Sequence, residues 1–359
     1  MANISFYPGP SRVYSNVPEY IYEAHKDGIL SINHRSDEFM SLARKAKKVL
    51  HEKLEIPDDY RILFMSSATE SWEVIGQSLI RQKSQHFFNG AFGEKWCKYT
   101  ELLGKEVSSH SFSMEETLPI DKLDQEADCI CLTHCETSNG TYIPVDTLNV
   151  LSSQRNPDQL IAVDATSSMA GLRLPWDKAD YWYASVQKCF GLPAGLGIAV
   201  LSPGAVNRAE ELAEKKHYNS LLKILENEEK HQTHHTPNVL GIYLLYRTQD
   251  FSKPIHKVEE KLLNRQRYWT DFLSSFKSFD LLVQNPEVRS PTVLAVKAKK
   301  PEKVKELAKD AGFTLGNGYG PWKDSCFRIA NFPAIKRREI EQLSSFLRKN
   351  FKVTKVATP

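Results

Sequence analysis

No stretch of this 359-residue chain is apolar for long enough to cross a membrane. Its first residues, MANISFYPGPSRV, have neither the basic start nor the apolar core of a secretion signal. Cytoplasm is the expected location. An excess of charge of one sign is missing too: 47 Lys and Arg stand against 44 Asp and Glu, a formal net charge of +3. No basic stripe with interleaved aromatics stands out, which argues against a nucleic-acid partner. Cysteine is sparse, with six residues dispersed at Cys97, Cys129, Cys131, Cys135, Cys189 and Cys326, and free thiols are expected. Cys129 and Cys131 alternate as residues on one strand face do, and His134 and Cys135 follow closely. No second Cys/His cluster has matching spacing, so packed core cysteines are expected rather than a metal site. Internal repeats and low-complexity tracts are absent.

What is present is the composition of a globular enzyme, 41% hydrophobic and 25% charged, at a length that suits two domains. FYPGP at residues 6–10 should be extended, because each proline disfavours helix for itself and the residue before it. A helix is expected from Pro18 to Asp27. A clearer amphipathic one runs from Ser36 to Leu54, with apolar residues at Phe39, Leu42, Ala46, Val49 and Leu50. Strand Arg61 to Met65 then runs into a turn at Ser66 to Thr69 and a helix from Glu70 to Arg81. Strand His86 to Phe88, loop Asn89 to Gly93, helix Lys95 to Leu103, strand Cys129 to Thr133 and helix Asp146 to Ser152 continue the alternation. This pattern predicts an α/β domain with a mostly parallel sheet and a ligand site at the C-terminal ends of its strands. The charged stretch from Ala209 to Lys230 reads as a solvated helix or mobile loop. A long helix from Val258 to Phe276 leads to a small α+β domain, with strands at Thr292 to Val296, Thr314 to Leu315 and Cys326 to Ile329, and helices Glu302 to Ala311 and Lys336 to Phe351. The boundary is expected near residue 255, dividing the chain into 1–255 and 256–359.

The most informative stretch runs from Ile161 to Ser202. One apolar run ends on Asp164, a second ends on Gln187 and Lys188, and a third follows a glycine-rich turn. An Asp and a Lys that each end a strand can meet at one edge of a sheet. Pyridoxal phosphate chemistry needs such a pair, an amine to hold the cofactor aldehyde and an acid to keep the pyridine nitrogen protonated. The turn at Ser66 to Thr69 presents free backbone N–H groups at a helix N-terminus, which suits a phosphate.

The segments VDATSS, SVQKCFG and PAGLGIAVLS together resemble the cofactor-lysine region of the class V, fold type I aminotransferases. The resemblance runs from about Phe6 nearly to the C-terminus. It implies the fold type I architecture of pyridoxal-phosphate-dependent transferases, with a large mostly parallel sheet domain and a small α+β C-terminal domain. It also implies pyridoxal 5'-phosphate as cofactor, Lys188 as its attachment point and Asp164 at the pyridine nitrogen. Phe92 in NGAFG matches the aromatic that stacks on the ring, where the phosphoserine aminotransferases of this family usually have Trp. Thr137 in CETSNGT matches a hydroxyl that binds the cofactor's phenolic oxygen. Ala68, Thr69 and Gln187 match phosphate ligands. His235 and Thr236 in HQTHHTPNV match positions that complete the phosphate cup from the neighbouring subunit, so a homodimer with shared sites is implied.

For the substrate, Arg328 in CFRIANF resembles the arginine that grips the α-carboxylate. His34 and Arg35 in SINHRSDEF resemble the HRSxEF signature with which phosphoserine aminotransferases bind the substrate phosphate. Transamination of 3-phosphohydroxypyruvate by glutamate, in serine biosynthesis, is thereby implied. One departure stands out: a second His-Arg pair shortly before the carboxylate arginine is replaced by Pro321 and Trp322, with Lys323 as a possible substitute charge. An alanine- or serine-glyoxylate transaminase is the alternative. A cysteine desulfurase or a cofactor-binding regulator fits less well.

Overall fold

Side chains of a β-strand alternate between the two faces of its sheet, so a run of consecutive apolar residues needs cover on both. Leu160–Asp164, Tyr181–Ser185 and Gly197–Leu201 find it in the middle of a seven-stranded sheet, where all their residues are buried. The computed structural model describes residues 4–353. From edge to edge the strands are Arg61–Met65, Gly197–Leu201, Tyr181–Ser185, Leu160–Asp164, Cys129–Thr133, Lys83–Phe88 and Glu106–Ser111. Gly197–Leu201 is antiparallel to both neighbours, and every other pairing is parallel. Helices cover the faces, so the chain has the α/β architecture of fold type I. Among the described residues no helix is long and apolar enough to cross a membrane.

The sheet aligns the chemistry. Thr133, Asp164 and Tyr183 are register partners across three adjacent parallel strands, so the segments that follow these strands emerge along one edge. Helix Asp37–Leu54 starts where Ser36 caps it, its side chain accepting the Phe39 amide at 3.3 Å. His34 and Arg35 therefore lie just ahead of a fixed helix end.

A second sheet of five strands has the order Ile4–Phe6, Phe313–Asn317, Cys326–Ala330, Val293–Ala298 and Phe279–Leu281. Its first strand comes from the start of the chain and runs parallel to Phe313–Asn317, with Ile4 opposite Phe313. The division at residue 255 departs from the structure here, because residues 4–6 pair with the C-terminal sheet. Helix Ile255–Ser274 leads into this sheet through a run of edge-on and tilted aromatic contacts, Trp269 to Phe272 to Phe276 to Phe279, with centroids 5.1 to 5.8 Å apart.

Three elements differ from the sequence reading. The edge strand Glu106–Ser111 is polar and partly exposed, so it lacks the apolar signal of the inner strands. Helix Val239–Phe251 buries Ile242, Tyr243, Leu244 and Leu245 in succession, which masks a helical period. The stretch from Ala209 to Lys230 is a loop only at residues 213–220 and is not fully solvated: helices Pro203–Leu212 and Leu221–Glu228 bury Ala209, Leu221, Ile224 and Leu225 against the large sheet. Its charges are also used inward. Glu228, 8% exposed, bonds Lys47 Nζ at 2.5 Å through one oxygen and Arg61 through the other.

Removing the carboxylate of that cluster leaves Lys47 buried without its partner. Glu228→Ala should lower the unfolding free energy by roughly 3 kcal/mol, the cost of breaking a buried ion pair from one side. Urea denaturation checks this, and Glu228→Ala combined with Lys47→Met should cost less than Glu228→Ala alone.

Candidate active site

A cavity of about 660 Å³ opens where the strand ends of the large sheet meet the small sheet. Asp164, at the end of its strand, accepts the Thr166 amide on Oδ1 at 2.8 Å and forms no ion pair with any described residue. Burial pushes its carboxyl above the usual range, although the Thr166 hydrogen bonds and the Lys188 charge oppose the shift. Lys188 follows the next strand and is 7% exposed. Its Nζ donates to Thr137 Oγ1 at 2.7 Å and Ser167 Oγ at 3.0 Å, and stands 5.3 Å from the centre of the Phe92 ring. Burial pulls the Lys188 amine down to about 8 against the attraction of Asp164 and Glu136. Such an amine is neutral, and so nucleophilic, far more often than an exposed one.

Residues 136–138 tie the site together. Glu136, 2% exposed, accepts the amides of Phe92 and Gly93 on Oε2 at 3.1 and 3.2 Å. Its Oε1 accepts from Ser138 N and Oγ at 2.9 and 2.6 Å, while Ser138 Oγ accepts the Ala91 amide at 3.0 Å. These groups cap helix Ala91–Leu102 from outside its own chain segment, a favourable place for a carboxylate at the positive end of a helix. Gly90 at the cap position allows this, because a Cβ there would collide with Glu136 and Ser138. The helix starts at Ala91, four residues before its predicted start, so Phe92 projects from a first turn held in place rather than from a loop. Thr137 turns its hydroxyl to Lys188 and its carbonyl to Arg328, whose Nη1 donates to it at 2.7 Å. Arg328 Nε donates to Asn317 O at 2.6 Å, which leaves Nη2 without a protein acceptor among the described residues.

Residues 7–10 form another wall. The chain leaves the small sheet after Phe6 and rejoins the large one where Ser11 N donates to Gln187 O at 3.0 Å. Gly9, at φ +148°, passes so close that a Cβ would lie 3.0 Å from Lys188 Cε.

Eight of the sequence-predicted residues line this one cavity: Ala68, Thr69, Phe92, Thr137, Asp164, Gln187, Lys188 and Arg328. The other four do not. Arg35 is exposed and donates to Asn227 Oδ1 at 3.0 Å and Gln232 Oε1 at 2.6 Å. Burial, then His234 and, less, His34 pull the His235 imidazole down, which places His34 near His235, and with Arg35 and the adjacent Thr236 they make up a second, outer patch. His234 links that patch to the cavity rim, 3.5 Å from Glu70 at the start of the helix that follows Thr69. Lys323 is exposed and does not line the cavity, so it does not replace the missing pair there. Sequence reasoning missed Glu136, Ser167 and Tyr319. The first two sit inside the motifs CETSNGT and VDATSS, where a carboxylate or hydroxyl beside each chosen residue was the available signal.

The residues fit a ligand that brings an aldehyde, a ring with a cationic nitrogen and a phosphate. Asp164 is a buried carboxylate without a cation, Lys188 is a partly neutral amine, and the Thr69 amide at the helix N-terminus meets no acceptor among the described residues. No group of three or more His, Cys, Asp or Glu among the described residues is placed to hold a metal ion.

The sequence profile of the family described as aminotransferase class-V matches residues 8–318. A phosphoserine aminotransferase of Corynebacterium glutamicum is 30% identical over 246 residues, which cover 66% of this chain and 63% of that one. The chain thus spans just under two thirds of the length of that curated relative. A crystal structure of a phosphoserine aminotransferase from Cytophaga hutchinsonii superimposes with a TM-score of 0.93 at 31% identity, covering 98% of this chain and 99% of that one. An alanine-glyoxylate aminotransferase of Nostoc, 19% identical with a TM-score of 0.82 over 97% of this chain and 95% of that one, shares the fold.

The burial of Lys188 sets a pH dependence. In protein freed of any bound aldehyde, labelling of Lys188 by an amine reagent should rise as pH passes through about 8, well below exposed lysines. Asp164→Asn removes an attraction that holds the proton on, so the profile should move to lower pH. Mass-spectrometric mapping reads both, and a Lys188 profile matching the surface lysines would contradict the account.

Proposed function

Because this chain belongs to the class V aminotransferases, we propose that it is a pyridoxal-phosphate-dependent transaminase interconverting phosphoserine and 3-phosphohydroxypyruvate, with glutamate and 2-oxoglutarate as the other pair. The observation that carries the reading is the cavity that holds a desolvated Lys188, an unpaired Asp164 and an Arg328 with a donor to spare.

Pyridoxal phosphate, the family's cofactor, supplies an electron sink that lets a proton leave an amino acid's α-carbon. Lys188 would hold the cofactor and, once displaced by the substrate amine, would carry that proton from the α-carbon to the cofactor's aldehyde carbon. Asp164 keeps the ring nitrogen protonated, Phe92 covers a ring face, and Thr137 donates to the phenolic oxygen. Ala68, Thr69 and Gln187 hold the phosphate at the helix N-terminus. Arg328 grips the α-carboxylate. Cys326 is fully buried in a strand and its thiol is pushed up by burial, which disfavours a desulfurase.

The outer patch gives the reading its oligomeric form. His34, Arg35, His235 and Thr236 do not line their own chain's cavity, so a role in binding would need a neighbouring copy. In this reading the enzyme is a homodimer in which Arg35 and His34 of the partner subunit bind the substrate phosphate, while His235 and Thr236 of the partner subunit complete the cofactor phosphate cup. A cytoplasmic location, where thiols stay reduced, suits the six free, buried cysteines.

Arg35→Ala should lower kcat/KM for phosphoserine by roughly tenfold to a hundredfold, the range for lost hydrogen bonds to a charged group, with much less effect on the glutamate half-reaction. Arg328→Ala should impair both. Mixing Arg35→Ala chains with Lys188→Ala chains should restore phosphoserine turnover, since each mixed dimer has one site with both residues intact. A fully active monomer would contradict the homodimer, and alanine or serine reacting as well as phosphoserine would favour the glyoxylate-type alternative.

A further inference from the structure

Besides the partly neutral Lys188, three cations line the cavity, Lys95, Lys98 and Arg328, against one carboxylate, Asp164. Lys188 and Asp164 lie deep, and Arg328 has a free Nη2 for an α-carboxylate. Lys95 and Lys98 lie one turn apart on helix Ala91–Leu102, are both exposed, and have no ion-pair partner among the described residues.

Lys95 is held over the mouth. Its Nζ donates to Tyr319 Oη at 2.7 Å and stands 5.6 Å from the Phe92 ring centre and 5.1 Å from that of Tyr319. Phe92 and Tyr319 stack at 5.3 Å and 26°. The Arg328 guanidinium contacts the same Tyr319 ring, 5.4 Å from its centre. One aromatic ring therefore has two cations as neighbours, and these can meet the two ends of one small molecule. An ammonium has three donors and only one of these is used. Gathering cations without carboxylates at a cleft raises its potential, and an entering anion relieves it.

We propose that Lys95 is a specificity-determining residue that shares, with Arg35 and His34 of the partner subunit, the second anionic group of a substrate whose α-carboxylate sits on Arg328. Tyr319 positions Lys95, and its own place is set by the stack on Phe92. This assignment rests on the transaminase reading above and adds to it a residue of this chain's own cavity.

The test is equilibrium binding to the holoenzyme by calorimetry. The probes are 3-phosphoglycerate, with a carboxylate and a phosphate but no amine, and glycerate, with the carboxylate alone. Lys95→Ala should weaken 3-phosphoglycerate about tenfold, the scale of one charged hydrogen bond at an exposed site, and leave glycerate within roughly twofold. Lys95→Arg, which keeps the charge, should recover most of the loss. Added salt should weaken 3-phosphoglycerate binding more steeply in the parent than in Lys95→Ala. Equal weakening of both probes, or no change in either, overturns the assignment. If the parent prefers succinate to 3-phosphoglycerate, the phosphoserine reading fails, and Lys95 is then judged by the same comparison of succinate with butyrate.

Discussion

A lysine amine kept out of water is the constraint on which the other parts of this site depend. A charged ammonium loses hydration on burial, so its surroundings decide how often it is neutral. Around Lys188 the direct partners are hydroxyls, those of Thr137 and Ser167, which accept a hydrogen bond without fixing the charge. The carboxylates of Asp164 and Glu136 are near enough to act through space, yet neither bonds the amine. Had either done so, the amine would stay protonated. Glu136 is occupied in capping the helix that carries Phe92, and Asp164 is left facing the cavity.

The same three-residue segment couples the two sheets. Thr137 holds Lys188 of the large sheet by its hydroxyl and Arg328 of the small sheet by its carbonyl. The first strand adds a second tie, because residues 4–6 belong to the small sheet while Ser11 and Tyr14 bond Gln187 and Gly191 around the lysine. A shift of one sheet against the other would therefore move Arg328 relative to the amine. His34 and Arg35 of the outer patch precede a helix that packs against Val239–Phe251.

Much of this was legible in the sequence, for reasons that can be located. The strands Arg61–Met65, Cys129–Thr133 and Gly197–Leu201 have the bounds their apolar runs suggest, because nearly all of their residues are buried, even in the edge strand Arg61–Met65. Capping and periodicity placed helix Asp37–Leu54 to within a residue. The Asp-Lys pairing followed from strand ends at one sheet edge. What stayed hidden depends on contacts between distant segments. Glu106–Ser111 is a strand because Lys83–Phe88 templates it, not because its own residues demand it. Glu136 reads as a turn carboxylate until its contacts with Phe92 and Gly93 are seen. Tyr319 and Lys95 are 224 residues apart, and nothing local marks either. The charge-rich Ala209 to Lys230 stretch misleads because Glu228 turns inward to Lys47 and Arg61.

The central claim is that Lys188 is the amine that holds the cofactor. Borohydride reduction of the holoprotein followed by peptide mapping tests it most directly. The account predicts the reduced pyridoxyl label on Lys188 alone, with no label in Lys188→Ala. Label on another lysine, or none with cofactor demonstrably bound, would contradict it.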